Sequence, residues 1–196
     1  MRSPERGMAG GADRPILGAM SASRTSFWRD RADRPPRLEA VIFSLDAVLA
    51  DPRADERLLS EVVWDLHCSG IRVAVVTGGL WPAVQRPVRE LLGDGAVEVL
   101  ITGDEVNRPK PDPEVYQHAL WQLGVRAADA IAVEDSAPGL RAALSAGVTT
   151  VVVTTERTAG DDFTGAAAVL PGYGGSDALS AYRCRGLMLG SRRLTA

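Results

Sequence analysis

The sequence predicts an α/β fold in which a central parallel sheet is covered by helices on both faces. Between residues 39 and 170, short apolar runs alternate with stretches whose apolar residues recur at helical spacing. Gly70, Gly93 and Gly147 stand where three of these helices would end. Such alternation is typical of βαβ units, whose parallel strands are buried on both faces. The 196 residues suffice for one domain of this kind.

Each predicted strand is a short run of apolar, mostly β-branched or small residues, and each predicted helix carries an apolar stripe. The third helix has its own start signal, because Asp112 can act as an N-cap and Pro113 suits the first turn. The strands are predicted at 40–43, 71–76, 97–101, 130–133, 149–153 and 166–170, and the helical stripes at 58–66, 84–92, 116–123, 140–147 and, more weakly, 177–182.

The chain divides into three segments. Residues 1–37 are rich in Arg, Gly and Pro without a sustained period, which predicts a disordered tail. Residues 38–175 form the predicted domain, and residues 176–196 are expected to hold a short helix and a basic C-terminal tail.

Charge and composition exclude several function classes. The first 37 residues hold eight Arg against four acids, whereas the remaining 159 hold 14 basic and 21 acidic residues. An acidic body is poorly suited to a phosphodiester backbone, so no nucleic-acid partner is expected. Apolar runs fall short of the roughly 18 residues that cross a membrane. Cys68 and Cys184 fit no metal-ligand spacing and are predicted to be free thiols, which favours a cytoplasmic protein.

One residue count is unusual. Of the 22 basic residues, 21 are arginines and only Lys110 is a lysine. In a chain with so strong a preference for arginine, a single lysine is either chance or a position at which a planar guanidinium is unsuitable.

Polar side chains follow four of the predicted strands. In parallel sheets the carboxyl ends of the strands share one edge, where ligands bind near the point at which strand order reverses. Carboxylates suit a hard cation, whereas hydroxyl, amide and ammonium groups suit phosphate oxygens. The residues are Ser44 and Asp46 after the first strand, Thr77 and Gly78 after the second, Lys110 after the third, and Glu134 and Asp135 after the fourth.

Four motifs at these positions, VIFSLDAVLADP, VAVVTGG, RPKPDPEVY and IAVEDSAPGLRAALSAG, stand in one order along the chain. From residue 40 to about residue 170 the chain resembles the haloacid dehalogenase-like (HAD) hydrolases. The resemblance is strongest to the branch of phosphoglycolate phosphatase and β-phosphoglucomutase. It implies a three-layer Rossmann-like fold and a lineage of magnesium-dependent phosphomonoester phosphatases.

The resemblance also implies roles for individual residues. Thr77 and the Gly78 amide would hold phosphate oxygens, and Lys110 would neutralise the phosphate. Asp46 would act as general acid and base, and its main-chain carbonyl would be a metal ligand. Asp135, with Glu134 beside it, would bind Mg²⁺.

The first motif departs from the family pattern at the residue that matters most for turnover. Where the family has a nucleophilic Asp, this chain has Ser44, and Ala47 replaces a Gly. A carboxylate forms an acyl phosphate that hydrolyses readily, because the leaving carboxylate has a pKa of about 4. A serine would form a stable phosphoserine, and dephosphorylation should stall. Ser44 also removes a carboxylate from the metal site, so the expected Mg²⁺ affinity is lower.

The chain also lacks room for the helical cap of this branch, since only 30 residues separate Asp46 from Thr77. We therefore expect a capless, open site that accepts a phosphorylated small molecule or protein.

Three hypotheses follow for the function. In the first, the chain has lost ordinary turnover and become a phosphate-ligand or protein-binding pseudoenzyme. Alternatively, it remains a hydrolase through Asp46-activated water or a Ser44 nucleophile. A third, unrelated nucleotide-binding or receiver-like protein is disfavoured, because no glycine-rich phosphate fingerprint follows the first strand.

Overall fold

A computed structural model describes residues 34–50, 56–175 and 178–190. The chain divides into two units, and the described residues lie almost entirely in the second, Pro36–Ala196. Residues 1–33, most of the predicted tail, lie outside the described residues.

The described residues form six strands and six α-helices in the predicted alternating order. None of these helices is long and apolar enough to span a membrane. The strands are β1 (Ala40–Ser44), β2 (Arg72–Val76), β3 (Val99–Ile101), β4 (Ala130–Glu134), β5 (Thr149–Val153) and β6 (Ala168–Leu170). The helices are α1 (Asp46–Ala50), α2 (Glu56–Cys68), α3 (Trp81–Leu92), α4 (Glu114–Leu123), α5 (Ala137–Ser145) and α6 (Ala181–Gly190).

The strands form one parallel sheet in the order β3-β2-β1-β4-β5-β6. The chain first builds outward from β1 to β3 and then returns to the other side of β1 at β4. Strand order therefore reverses between β1 and β4, which is where open α/β sheets bind ligands. The register pairs Ser44 with Val76 and Phe43 with Val133, so the carboxyl ends of three central strands lie level.

Alternate residues of β1 enter two separate cores. Val41 and Phe43 pack with residues of α2, α3 and α6, whereas Ala40 and Ile42 pack with residues of α4 and α5. Because successive strand side chains point to opposite faces, a strand that is apolar at every position is buried on both sides. The predicted three-layer α/β architecture with a central parallel sheet is confirmed.

Several predicted boundaries differ from those observed. Strand β3 begins at Val99 instead of residue 97, β6 begins at Ala168 instead of residue 166, and β4 extends to Glu134. Since Glu134 follows four buried apolar residues, the sequence pattern alone suggested that the strand ended before it.

The prediction of a C-terminal helix at 177–182 is wrong in its bounds. Helix α6 runs from Ala181 to Gly190. The Ala181 N–H donates to Asp65 and the Arg183 N–H donates to Ser180. These side-chain acceptors satisfy N–H groups that the first turn of a helix leaves without a partner, so α6 begins at Ala181. Cys184 and Met188 are buried in the core, so this segment packs as part of the domain. Cys68 is exposed, and both thiols are free, as predicted.

Candidate active site

The residues predicted at the strand ends lie together at the carboxyl edge of the sheet. Ser44 is the last residue of β1 and Asp46 is the first of α1, while Glu134 ends β4. Thr77 directly follows β2, and its N–H donates to Ile101 at the end of β3. The geometry therefore brings motifs that are far apart in the chain into one cluster around Lys110.

The Lys110 ammonium is the centre of this cluster. Its Nζ lies 2.6 Å from Ser44 Oγ, 3.0 Å from Asp46 Oδ2 and 2.8 Å from Glu134 Oε1. Burial lowers the pKa of Lys110, but the charges of Glu134 and Asp46 and their hydrogen bonds outweigh it and raise the pKa above its ordinary value. Lys110 is therefore a protonated donor at neutral pH.

Asp46 accepts hydrogen bonds on both carboxylate oxygens. Oδ1 receives the Thr77 hydroxyl at 2.7 Å and the Gly78 N–H at 2.8 Å, while Oδ2 faces Lys110. Burial raises the pKa of Asp46, but Lys110 and the hydrogen bonds from Thr77 and Gly78 together hold it below the ordinary value. Asp46 is thus an ionised carboxylate surrounded by the three donors that the sequence suggested for phosphate.

Glu134 is the buried ion-pair partner of Lys110. Its side chain is fully buried, and Oε1 accepts from both Lys110 and the Tyr116 hydroxyl. Oε2 accepts from the Asp135 N–H at 3.1 Å and the Ser136 hydroxyl at 3.3 Å. The sequence suggested Glu134 as a metal ligand beside Asp135. In the structure its oxygens instead face Lys110, Tyr116 and the start of α5.

Two residues of this network were not singled out in the sequence. Tyr116 was read only as part of an apolar helix stripe, although a buried tyrosine usually requires a partner for its hydroxyl. Gly139 lies inside α5, where a Cβ atom would stand 1.9 Å from Glu134 Oε2. Gly139 lies in the first turn of α5 and just before the predicted helical stripe at 140–147, so the apolar pattern of the sequence contained no signal for its contact with Glu134.

Asp135 occupies a separate, largely buried position at the end of β4. Its Oδ2 accepts the Ala47 N–H at 3.1 Å, which ties the end of β4 to the first turn of α1. Burial, and then the charge of Glu134, raises the pKa of Asp135 to about 6. Among the described residues, no cluster of three or more His, Cys, Asp or Glu side chains is arranged to hold a metal ion.

Comparison with known proteins assigns this geometry to a family. Residues 15–147 match the family model of haloacid dehalogenase-like hydrolases, which is more than half of the chain. The chain belongs to the haloacid dehalogenase-like hydrolases. The resemblance inferred from the four motifs is therefore confirmed at the level of the family.

Relatives within this family include phosphatases. Validoxylamine A 7'-phosphate phosphatase of Streptomyces hygroscopicus subsp. limoneus is 36% identical over 142 residues, which cover 72% of this chain and 66% of that protein. Protein CbbY of Rhodobacter capsulatus is 37% identical over 111 residues, which cover 55% of this chain and 49% of CbbY. The chain thus spans about half the length of that CbbY relative.

Solved structures share the fold of this HAD-family chain. The crystal structure of CbbY from Rhodobacter sphaeroides in complex with phosphate superposes with a TM-score of 0.60 at 22% identity, covering 72% of this chain and 97% of that one. The β-phosphoglucomutase of Clostridium difficile gives a TM-score of 0.61 at 13% identity, covering 80% and 99%.

The close approach of Gly139 to Glu134 can be tested by Gly139→Ala. An alanine there would force the Glu134 carboxylate away from its buried partners, so we expect a loss of about 1–3 kcal/mol in the free energy of unfolding despite the better helix propensity of alanine. Gly160→Ala is the matched control, because no atom lies within 4 Å of a Cβ there. Urea denaturation measures both variants, and equal stabilities would contradict the contact.

The raised pKa of Asp135 predicts a pH-dependent stability. The folded pKa of Asp135 is about 6, above its ordinary value of 3.8. Ionised Asp135 therefore destabilises the fold above pH 6, and this penalty decreases as pH falls below 6. In EDTA at pH 8, Asp135→Asn should therefore be more stable than the natural chain by about 1–3 kcal/mol. At pH 5 the advantage should shrink.

Thermal or urea denaturation at the two pH values measures this difference. Asp161→Asn, at an exposed position, is the control and should change stability by less than about 0.5 kcal/mol at both pH values. An Asp135→Asn variant that is less stable than the natural chain by the same amount at both pH values would contradict the assignment.

Proposed function

We propose that this HAD-family chain binds a phosphate-bearing ligand and has lost aspartyl-phosphate turnover. The observation that carries the proposal is Ser44, which stands at the end of β1 where the family resemblance places the nucleophilic carboxylate. Its side chain is buried, and its Oγ accepts a 2.6 Å hydrogen bond from Lys110. A phosphatase lineage that retains the surrounding groups but not the nucleophile is a pseudoenzyme.

The neighbours of Ser44 argue against its activation as a nucleophile. A hydroxyl must lose its proton to attack phosphorus, so it needs an adjacent base. Lys110 is held in its protonated form and cannot accept that proton. Asp46 has a lowered pKa and is a weak base, and its oxygens already accept from Thr77, Gly78 and Lys110.

The same donors support retention of phosphate binding. The Thr77 hydroxyl, the Gly78 N–H and the Lys110 ammonium converge on one carboxylate. A phosphate group would compete with Asp46 for these donors, because phosphate oxygens accept the same kinds of hydrogen bond. Gly78 is exposed, so this part of the site can be reached from solvent.

The charges and oxygen donors of the site also fit a magnesium ion held weakly. Asp46, Glu134 and Asp135 carry three carboxylates against the single ammonium of Lys110, which leaves a net negative charge. The Asp135 carboxylate and the Asp46 main-chain carbonyl are the ligands that we propose, and hard oxygens are what Mg²⁺ prefers. Ser44 contributes no carboxylate, which lowers the affinity. When bound, the ion would neutralise phosphate charge.

The segment between β1 and β2 supports an open site. Within the 30 residues between Asp46 and Thr77, the described part consists of the rest of α1, helix α2, a short link and strand β2. Leu59, Val63 and Leu66 of α2 are buried in the core, so this helix serves the domain and cannot also cover the site. We therefore propose a capless site, which accepts a phosphorylated small molecule or a phosphorylated protein.

The alternative is a hydrolase that uses Asp46-activated water or Ser44. One comparison separates the two functions: hydrolysis of p-nitrophenyl phosphate with Mg²⁺ by the natural chain and by Ser44→Asp. We expect turnover of the natural chain at background, and turnover at least about 100-fold higher for Ser44→Asp, because the carboxylate restores a leaving group of low basicity. Ser145→Asp adds the same charge at an exposed position on α5 and should stay at background.

Magnesium-dependent turnover by the natural chain that Asp46→Asn abolishes would contradict the pseudoenzyme. So would an added mass of one phosphoryl group on Ser44 that forms and decays during turnover.

A further inference from the structure

An exposed apolar segment directly follows Thr77 in the chain. Residues 78–83 read GGLWPA, all are at least partly exposed, and none carries a charged or hydrogen-bonding side chain other than the Trp81 indole. Leu80 and Trp81 are 59% and 44% exposed. We name residues 78–83 the apolar rim. It starts at Gly78, whose N–H is one of the three donors that meet at Asp46.

The apolar rim is held in place by its neighbour, a single turn of 3-10 helix, Gly103–Glu105. The Gly103 N–H donates to Gly79 O at 2.8 Å, and the Trp81 N–H donates to Asp104 Oδ1 at 3.0 Å. A Cβ atom at Gly103 would lie 2.2 Å from Gly78 O, so the two segments are in direct contact. The rim is therefore preformed, which reduces the entropy cost of binding against it.

Polar side chains in and after this turn bind one another. Arg108 pairs with Asp112 at 3.0 Å and with Glu114 at 3.2 Å. Glu105 accepts from Thr102, which also donates to Asp104. The side chains of the rim itself offer no hydrogen-bonding group except the Trp81 indole, so a sugar hydroxyl lying on Leu80 or Pro82 would lose its water without gaining a partner from them, which is unfavourable. An apolar group would instead bury the exposed Leu80 and Trp81.

We propose that the apolar rim is a ligand subsite that selects phosphomonoesters with an apolar organic group, with the Trp81 indole as its stacking surface. This inference rests on the proposed phosphate binding and adds the class of ligand. The phosphate group lies on Thr77, Gly78 and Lys110, and the organic group lies along the rim. Aromatic groups bind best, because an indole favours offset or edge contacts with another ring.

Two phosphonates that share the anionic group test the subsite. We expect the full chain, titrated in Mg²⁺ by calorimetry, to bind phenylphosphonate about 5–10-fold more tightly than 2-hydroxyethylphosphonate. Trp81→Ala should bring the two affinities within about two-fold of each other, and Trp81→Phe should restore the preference. Trp121→Ala is the control, since Trp121 is 47% exposed on α4, beside His118, and the variant should keep the preference.

Equal binding of the two phosphonates by the natural chain would overturn the subsite and leave phosphate binding intact. A preference that survives in Trp81→Ala, or that Trp121→Ala also removes, would overturn the role of Trp81. Failure of both phosphonates to bind the natural chain would overturn the proposed phosphate binding and the subsite with it.

Discussion

The site depends on one buried ammonium that is shared by three oxygen acceptors. Lys110 contacts Ser44 and Asp46, which follow each other closely at the end of β1, and Glu134 at the end of β4, all within 3.0 Å. A compact ammonium can donate to three acceptors around one nitrogen, whereas a planar guanidinium directs its donors in a fixed fork. The only lysine in a chain with 21 arginines therefore stands where its geometry is needed.

The proposed loss of the nucleophile is compatible with this arrangement. Ser44 gives Lys110 a neutral hydroxyl as its neighbour, and Glu134 and Asp46 raise the pKa of the ammonium against its burial. Glu134 is itself fixed by Tyr116 and by the start of α5. In the proposed function, turnover and phosphate recognition depend on different residues, so a substitution in the first motif removes the first and leaves the second.

Much of the fold was accessible from the sequence, because apolar runs and helical stripes report burial directly. The apolar runs predicted the alternation from β1 to β6. The ends of those runs predicted a cluster of Ser44, Asp46, Thr77 and Lys110. The contacts of Glu134 with Lys110 and Tyr116 were not predicted, because these residues are apart in the sequence and meet only in the folded chain. The importance of Gly139 was missed for the same reason, because the Glu134 carboxylate of β4 occupies the space that a Cβ atom at Gly139 would need. The start of α6 was misplaced because Asp65, far away in sequence, supplies an acceptor there.

We propose that Lys110 preserves phosphate recognition in a chain whose family nucleophile position holds Ser44. Calorimetric titration of inorganic phosphate in Mg²⁺, with the natural chain and with Lys110→Arg, tests this proposal. We expect saturable binding at one site in the natural chain and an affinity at least about ten-fold lower in a Lys110→Arg variant whose circular dichroism is unchanged. Equal affinities, or no phosphate binding by the natural chain, would contradict it.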